Sequence, residues 1–377
     1  MRLLHTSDWH LGINFKGRDS QKDQEYFINQ ISSIIQEKSV DAIMLAGDVF
    51  DRSMASAETI KFYDSIITQL VVTHDTHVLC IAGNHDSAER LSQYHELLKK
   101  TGFHVVGELS SEFSIAEYED VDVYMLPWFS TDKAKAVFPE HAEEIETMED
   151  AYRVVLSEMR KTFKEGKKHF LISHAYITNA ETSTSDRTAE IGTATAVNEG
   201  VFEGFDYVAL GHIHKPQAIT DNIRYCGTPM PYSFGKEEKQ EKGVIIIDTK
   251  DMSKELVPLK LLHKRTTITD TYDNILKADY PEDIKSGYVR LEVTDQYVGP
   301  DSFALFSEKY PLLLEMKGLD YSGEGAEITL SMEEFEEKSK DPEEIFKSFC
   351  KENTLEIPEG GLDLFREIMR EYIEEEG

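Results

Sequence analysis

Short apolar runs recur along the first two-thirds of the chain, and each of them ends in a glycine or a polar residue. Six such runs are rich in β-branched side chains and predict buried strands: LLHTSD, AIMLAGD, VLCIAGN, HFLISH, YVALGH and GVIIID. Between them, residues 24–38, 58–72 and 147–164 carry apolar positions at helical spacing, and the last stretch opens with a capping-box pattern from Thr147 to Asp150. This alternation of strands and helices predicts an α/β layer architecture.

The hydrophobic pattern changes near residue 258. There, YVRLEVTD predicts an alternating strand, and PDSFALFSEKYPLLLEM predicts a helix followed by a strand. The sequence of residues 331–377 predicts acidic helices. This segment contains 6 Lys or Arg and 16 Asp or Glu, which gives it a net charge of −10. We therefore predict three parts in this chain of 377 residues: an α/β domain over 1–257, a small α+β domain over 258–330, and an acidic helical segment over 331–377.

Side chains that bind metals or transfer protons follow five of the predicted strands. If these strands share a sheet or a sandwich, their ends meet at one edge, where ligands of α/β proteins bind. The residues are Asp8 and His10, then Asp48 and Asp51, then Asn84, His85 and Asp86, then His174, and finally His212 and His214.

The donor atoms of this set are oxygen and nitrogen, without thiolate, which suits Mn²⁺, Mg²⁺, iron or Zn²⁺. The donors are too many for one ion, so we expect two divalent ions about 3.5–4 Å apart, as in two-metal hydrolases. A glycine precedes Asp48, Asn84 and His212 and allows close approach of the backbone. Asp51 and Asp86 are interpreted either as residues that orient a histidine or as ordinary turn residues.

Composition narrows the function classes. The net charge of −31 argues against a basic nucleic-acid-binding face. Three distant cysteines indicate a reducing compartment, and with no secretory signal or membrane-spanning apolar run we expect a cytoplasmic protein without membrane contact. The phosphate-binding motif G-x-x-x-x-G-K-[ST] does not occur, so we expect no ATP hydrolysis by this chain itself.

The ordered motifs resemble those of the metallophosphoesterase superfamily: D-x-H, G-D-x-x-D, G-N-H-D/E, H and G-H-x-H, over roughly residues 1–250. The resemblance implies an αββα sandwich with two metal ions at the sheet ends. It also implies that His85 contacts the scissile phosphate. One implied ligand set is Asp8, His10, Asp48 and His214, and the other is Asp48, Asn84, His174 and His212, with Asp48 bridging both ions.

Within that superfamily, LLHTSDWHLG, GDVFDR and YCGTPMPYSFGKEEKQEKG resemble the family of SbcD-like bacterial nucleases. That resemblance implies hydrolysis of DNA with Mn²⁺ as the favoured metal, in repair, recombination and replication. It also implies an SbcC-type ATPase partner bound through residues 331–377. The helices predicted over 24–38 and 58–72 would form a homodimer interface as in such relatives, or else pack within the monomer.

Three other functions remain compatible with the motifs. A protein Ser/Thr phosphatase would share GDVFDR, but Ser53 and the GNHD motif depart from that family. A nucleotide phosphodiesterase would use the same site but leave the additional domains unexplained. A metal-stabilised scaffold without catalysis would have no use for His85.

The sequence of residues 180–200 predicts a long loop, of a length that is usually functional or mobile.

Overall fold

The computed structural model describes residues 1–186, 195–319 and 327–332, together with 343, 346–347, 350, 357–358 and 360–366. The predicted acidic helices of residues 331–377 therefore lie largely outside the described residues. The chain divides into two compact units. The first comprises Met1–Phe15 and Asp19–Leu262, and the second comprises Lys16–Arg18 and the residues from His263. Across the described part of the chain, no helix is long and apolar enough to cross a membrane.

The described strands number twenty, and most are short. They are β1 (Arg2–Thr6), β2 (Asn14–Phe15), β3 (Arg18–Asp19), β4 (Ala42–Ala46), β5 (His77–Ile81), β6 (Phe103–Val106), β7 (Ile115–Glu117), β8 (Val121–Leu126), β9 (Lys168–His174), β10 (Tyr176–Ile177), β11 (Ala196–Val197), β12 (Tyr207–Gly211), β13 (Gln217–Ala218), β14 (Ile223–Tyr225), β15 (Gly243–Asp248), β16 (Lys254–Pro258), β17 (Arg265–Asp270), β18 (Tyr288–Tyr297), β19 (Leu313–Leu319) and β20 (Glu327–Ser331).

The described α-helices alternate with these strands. They are α1 (Gln21–Lys38), α2 (Ala57–Thr68), α3 (Ala88–Leu91), α4 (His95–Leu98), α5 (Thr131–Val137), α6 (Met148–Arg160), α7 (Tyr272–Lys277), α8 (Glu282–Lys285) and α9 (Pro300–Lys309). A π-helical turn, Gln69–Thr73, extends α2. Short 3₁₀ helices cover Lys99–Thr101, Pro139–His141, Glu199–Phe202 and Lys236–Lys239.

Two six-stranded sheets form the centre of the first unit, with strand orders β16-β15-β1-β4-β5-β6 and β13-β14-β12-β9-β8-β7. Their facing sides share one core, in which Met44 and Ile81 of the first sheet pack with Phe170 and Tyr207 of the second. Each outer face has a core of its own with the helices. The structure thus confirms the predicted α/β sandwich, because buried strands need a helical layer on each side.

The helices begin and bury their faces largely as their sequences predict. In α6, the Thr147 hydroxyl accepts from the Asp150 backbone N–H at 3.2 Å, and the Asp150 carboxylate accepts from the Thr147 backbone N–H at 3.0 Å, which confirms the capping box. The helix ends at Arg160, earlier than the predicted residue 164. The apolar stripe of α1 is buried in the core of the first unit, whereas Ile60 on α2 remains 45% exposed.

Two features differ from the sequence prediction. Strand β8 was not predicted, because Asp122 interrupts its apolar run; the structure buries this carboxylate and pairs it with Lys167 at 2.6 Å. The first unit extends to Leu262, whereas the predicted boundary lies at residue 257. Residues beyond β16 stay with it because the Gln30 side chain forms two hydrogen bonds to the Lys260 backbone, at 2.9 and 2.8 Å.

The second unit is a small α+β structure. Strands β17, β18 and β19 pair in parallel, and β20 adds antiparallel to β19. Helix α9 buries Phe303 and Phe306 against Leu291 of β18, and this apolar cluster is the core of the unit. The predicted order of strand, helix and strand in this region is confirmed.

Candidate metal centre

The five strand ends singled out in the sequence meet at one edge of the sandwich. Strands β1, β4 and β5 are parallel neighbours in the first sheet, and β9 and β12 are parallel neighbours in the second. In the second pair, Gly211 lies in register with His174. Parallel strands present their carboxyl ends on one side, so the side chains that follow them converge.

The backbone is left-handed at four of the predicted ligands. The φ angles are +52° at Asp8, +44° at His10, +50° at Asp48 and +98° at His212. A non-glycine residue in this region costs on the order of 1–3 kcal/mol and persists where the surroundings enforce it, typically at functional sites. The chain therefore holds strain at the residues that would bind metal.

Asp48 lies at the middle of the cluster. Its Oδ2 is 3.8 Å from Nε2 of His10, 3.4 Å from Nε2 of His174 and 3.9 Å from Nε2 of His85. Its Oδ1 accepts a hydrogen bond from the His85 backbone N–H at 3.0 Å. One carboxylate thus faces imidazoles from both predicted ligand sets, as a bridging ligand must.

One side of the centre combines two histidines and an asparagine. The Asn84 Oδ1 lies 2.8 Å from His174 Nε2 and 3.0 Å from His212 Nδ1, and the two imidazole nitrogens are 3.3 Å apart. His174 Nδ1 donates to the Ala46 carbonyl at 2.8 Å. A carbonyl can only accept, so neutral His174 directs the lone pair of Nε2 inward, as metal-binding histidines do.

The other side of the centre combines Asp8, His10 and His214. His10 Nε2 and His214 Nε2 are 3.2 Å apart, and these three residues can direct one donor atom each to a common point. A second such group is Asp8, Asp48 and His174. The Asp8 carboxylate also accepts from the His212 backbone N–H at 2.9 Å, which connects the two sides.

A buried chain of polar side chains supports His214, and none of its members is among the residues predicted from the sequence. Nδ1 of His214 contacts the Ser185 hydroxyl at 2.6 Å, and that hydroxyl donates to the carboxylate of Glu237. The ammonium of Lys242 lies 3.8 Å from that carboxylate and donates to the His214 carbonyl at 2.7 Å. Because Ser185 donates to Glu237, it accepts from Nδ1 of His214, and the Nε2 lone pair points inward.

The pattern of charged residues did not identify this support. Glu237 is 0% exposed and Lys242 is 2% exposed, yet both stand in the charged stretch GKEEKQEK, which is typical of a solvated surface. Ser185 belongs to the predicted loop over residues 180–200, of which 187–194 lie outside the described residues. The neighbouring Asp186 accepts from the His214 backbone N–H at 2.9 Å.

Asp51 and Asp86 occupy two different surroundings. The backbone carbonyl of Asp51 accepts from Nδ1 of His85 at 2.9 Å, and its carboxylate lies 3.9 Å from Nδ1 of His10. The Asp86 carboxylate accepts from three backbone N–H groups, those of Gly83 at 2.9 Å, Phe50 at 2.9 Å and Val49 at 3.1 Å. Asp51 thus contacts histidines, whereas Asp86 ties together the loops after β4 and β5.

The electrostatics of the cluster favour a bound cation. Burial raises the pKa of Asp8 to about 7. Burial would also raise the pKa of Asp48, but the neighbouring His174 and His10 hold it well below its usual value. Burial opposes a charge on His174, yet the carboxylates of Asp48 and Asp8 raise its pKa to about 9. Without metal, a proton on His174 balances these buried carboxylates; divalent ions would displace that proton and supply the positive charge in its place, so the residues fit a pair of divalent ions.

Two glycines allow the strand ends to approach this closely. A Cβ on Gly211 would lie 1.9 Å from the Ala46 carbonyl oxygen, which is the acceptor for His174. A Cβ on Gly83 would lie 2.1 Å from Oδ1 of Asp48. The expectation that glycines next to the ligands permit close backbone approach is therefore confirmed at both positions.

Replacing Gly211 with alanine is expected to lower the free energy of unfolding by about 1–3 kcal/mol, as overpacking in a core does. The added methyl group displaces the Ala46 carbonyl, so we also expect weaker Mn²⁺ binding through His174. Urea unfolding and Mn²⁺ titration measure the two effects. Gly200→Ala is the matched control. A Cβ at that position would come within 3.0 Å of a side-chain atom, Oδ1 of Asn198, whereas a Cβ on Gly211 would meet a backbone carbonyl at 1.9 Å. Unchanged stability and Mn²⁺ affinity in Gly211→Ala would contradict this expectation.

Comparison with known proteins places this centre in a family. The family model described as calcineurin-like phosphoesterase matches residues 1–216. A protein of Staphylococcus epidermidis, named as the SbcD component of the nuclease SbcCD, is 29% identical over 360 residues, with 94% of this chain and 94% of the relative covered. Its namesake from Staphylococcus saprophyticus is 28% identical over 354 residues, covering 93% and 92%.

Among solved structures, a dimetal phosphatase from Danio rerio aligns with a TM-score of 0.40 and 10% identity, covering 65% of this chain and 91% of that chain. A TM-score this low does not by itself establish a common fold. The family match, in contrast, spans more than half of the 377 residues and includes each of the five strand ends. The resemblance predicted from the motifs is confirmed, and the chain belongs to the calcineurin-like phosphoesterase family of hydrolytic enzymes.

Proposed function

We propose that the protein is a two-metal-dependent DNA phosphodiester hydrolase, with exonuclease and endonuclease activity, that acts together with an SbcC-type ATPase. The name of the two staphylococcal relatives, which makes each the SbcD component of a nuclease SbcCD, supports this assignment. The substrates are DNA ends or hairpins that arise in repair, recombination and replication, and the site of action is the cytoplasm.

The position of Asp48 is the observation that carries the proposal. Its carboxylate lies 3.8 Å from an imidazole nitrogen of His10 and 3.4 Å from one of His174, between two groups of ligand atoms. Two ions bound there, with Mn²⁺ favoured, would supply an activated water and neutralise the charge of the phosphodiester. We assign one ion to Asp8, His10, Asp48 and His214 and the other to Asp48, Asn84, His174 and His212.

We assign His85 to the substrate rather than to either metal ion. Its Nδ1 donates to the Asp51 carbonyl at 2.9 Å, so the ring is held with Nε2 towards Asp48, at 3.9 Å from Oδ2. From that position, protonated His85 would donate a hydrogen bond to the phosphate or a proton to the leaving oxygen. Asp51 positions the ring through its main chain.

The net charge of −31 is compatible with a DNA substrate on this assignment. Divalent ions at the centre supply positive charge where the phosphate binds, and the ATPase partner supplies further DNA affinity. Residues 331–377, acidic and amphipathic in sequence, are assigned to docking of that partner. The assignment of this segment rests on the resemblance to SbcD-like nucleases.

The homodimer is also part of the proposal. The stripe of α1 packs inside the first unit, but Ile60 on α2 is 45% exposed and is available to a second copy. We therefore assign the dimer contact to α2 rather than to α1.

Degradation of linear DNA by the purified full-length protein tests the proposed function. We expect cleavage that requires Mn²⁺ and stops when the metal is chelated, with far slower hydrolysis of a phosphopeptide. Two parallel substrates, a phosphopeptide and a cyclic nucleotide, test the alternative of another metallophosphoesterase. Rapid hydrolysis of either one, without degradation of DNA, would reject the nuclease assignment in favour of that alternative.

A further inference from the structure

An exposed aromatic side chain lies beside the metal centre. Trp128 follows β8 and is 43% exposed, although tryptophan is usually well covered. Its backbone N–H donates to the Ala82 carbonyl at 2.9 Å, directly before the loop that carries Asn84. The hydrogen bond fixes the main chain of Trp128 to the loop of the centre, so the indole is held near the predicted metal ligands.

The indole forms one wall of a cleft that ends at the metal centre. The described lining residues are Trp128, Phe129, Met148, Tyr152, His174, Ala175, Tyr176, Thr195 and His212. None of these described residues carries a carboxylate, ammonium or guanidinium group, in a protein whose net charge is −31. The described lining of the cleft is therefore largely apolar and aromatic.

The lining of this cleft includes His174 and His212, two of the predicted metal ligands. The ring of Tyr176, which also lines the cleft, lies 6.5 Å from the ring of His212. A nucleotide whose phosphate reaches the metal centre would place the neutral, flat base in this cleft. Aromatic side chains bind unstacked bases of any sequence, because every base has a π face.

We propose that Trp128 is a stacking platform for a DNA base next to the scissile phosphate, and that the cleft is a base-binding subsite. This inference rests on the proposed nuclease function and names a determinant of its substrate. Trp128 would bind the unpaired base at a DNA end or hairpin loop, while the metal ligands bind the phosphate. Base-paired DNA would have to unstack before it could use the subsite.

The first test compares an oligonucleotide with the same strand made abasic around the cleavage position. We expect Trp128→Ala to raise KM for the normal strand by about 10-fold, with little change in kcat, because base stacking contributes to binding. Trp128→Phe is expected to restore most of the affinity. On the abasic strand, wild type and Trp128→Ala should be equal. The matched control is Tyr94→Ala, since Tyr94 is 69% exposed and does not line the cleft.

The second test is fluorescence, which needs no turnover. The chain has two tryptophans, and Trp9 is 0% exposed, so quenching by added single-stranded DNA reports on Trp128. We expect quenching by the normal strand, much less by the abasic strand, and none in Trp128→Phe. An unchanged KM in Trp128→Ala, or equal quenching by both strands, would overturn the proposal. If wild type cleaves no DNA, the nuclease assignment fails, and the quenching still decides whether a base stacks on Trp128.

Discussion

Replacing Asp48 with asparagine is expected to remove nearly all hydrolytic activity and most of the bound metal. Asparagine preserves the shape of the side chain and the acceptor for the His85 backbone N–H, but it removes the charge that faces His10 and His174. Two ions bound as proposed would supply several kcal/mol of transition-state stabilisation, and about 1.4 kcal/mol corresponds to a tenfold change in rate. We therefore expect the rate to fall by about 10³-fold or more.

Metal content per chain after dialysis against Mn²⁺, together with the rate of DNA cleavage, measures this effect. Asp122→Asn is a matched control, because Asp122 of β8 is also a fully buried aspartate but pairs with Lys167, just before β9, rather than with the histidines. That control should lose stability while it retains metal and activity. An Asp48→Asn protein that keeps two ions per chain and more than a tenth of the activity would show that Asp48 does not bridge.

Replacing His85 with alanine should separate catalysis from metal binding. We expect kcat to fall by about 10²–10⁴-fold, the usual contribution of a positioned proton donor. Metal content should remain that of wild type, because His85 is assigned to the substrate rather than to either ion. The measurements are single-turnover cleavage of linear DNA and the Mn²⁺ stoichiometry of the same preparation.

His95→Ala provides the control for loss of a histidine. His95 stands on the short helix α4 with 53% of its side chain exposed, and it belongs to neither ligand set. It should behave as wild type in both measurements. Equal degradation of DNA by His85→Ala and wild type would remove His85 from the mechanism, and loss of metal in His85→Ala would instead make it a ligand.

Strands that bury both faces were predictable, because their apolar runs are continuous and end at a glycine or a polar residue. Strand β8 was missed because Asp122 stands inside its run, and a buried carboxylate is tolerated only when a partner such as Lys167 neutralises it. That partner comes from the segment before β9, so no window of local sequence contains the explanation. The same limit applies to the domain boundary, which depends on the contact of Gln30 with the Lys260 backbone.

The predicted ligands could be named from sequence because each lies at the end of a strand or a few residues after it, and strand ends that share a sheet or sandwich meet at one edge. The residues that support His214 could not be named from sequence. Ser185, Glu237 and Lys242 come together only when the loop at 180–186 and the segment after β14 fold against β12. Whether a charged residue lies in solvent or in a buried network depends on distant parts of the chain.

By itself, the sequence determined the type of fold, the order of the predicted ligands and their oxygen-and-nitrogen donor chemistry, because these depend on local periodicity and on residue type. The tertiary structure alone decided that Asp48 faces both histidine groups, that the Asp51 carbonyl rather than its carboxylate holds His85, and that Trp128 stands exposed beside the centre. These properties are distances between residues far apart in the chain, which are settled only when the two sheets pack.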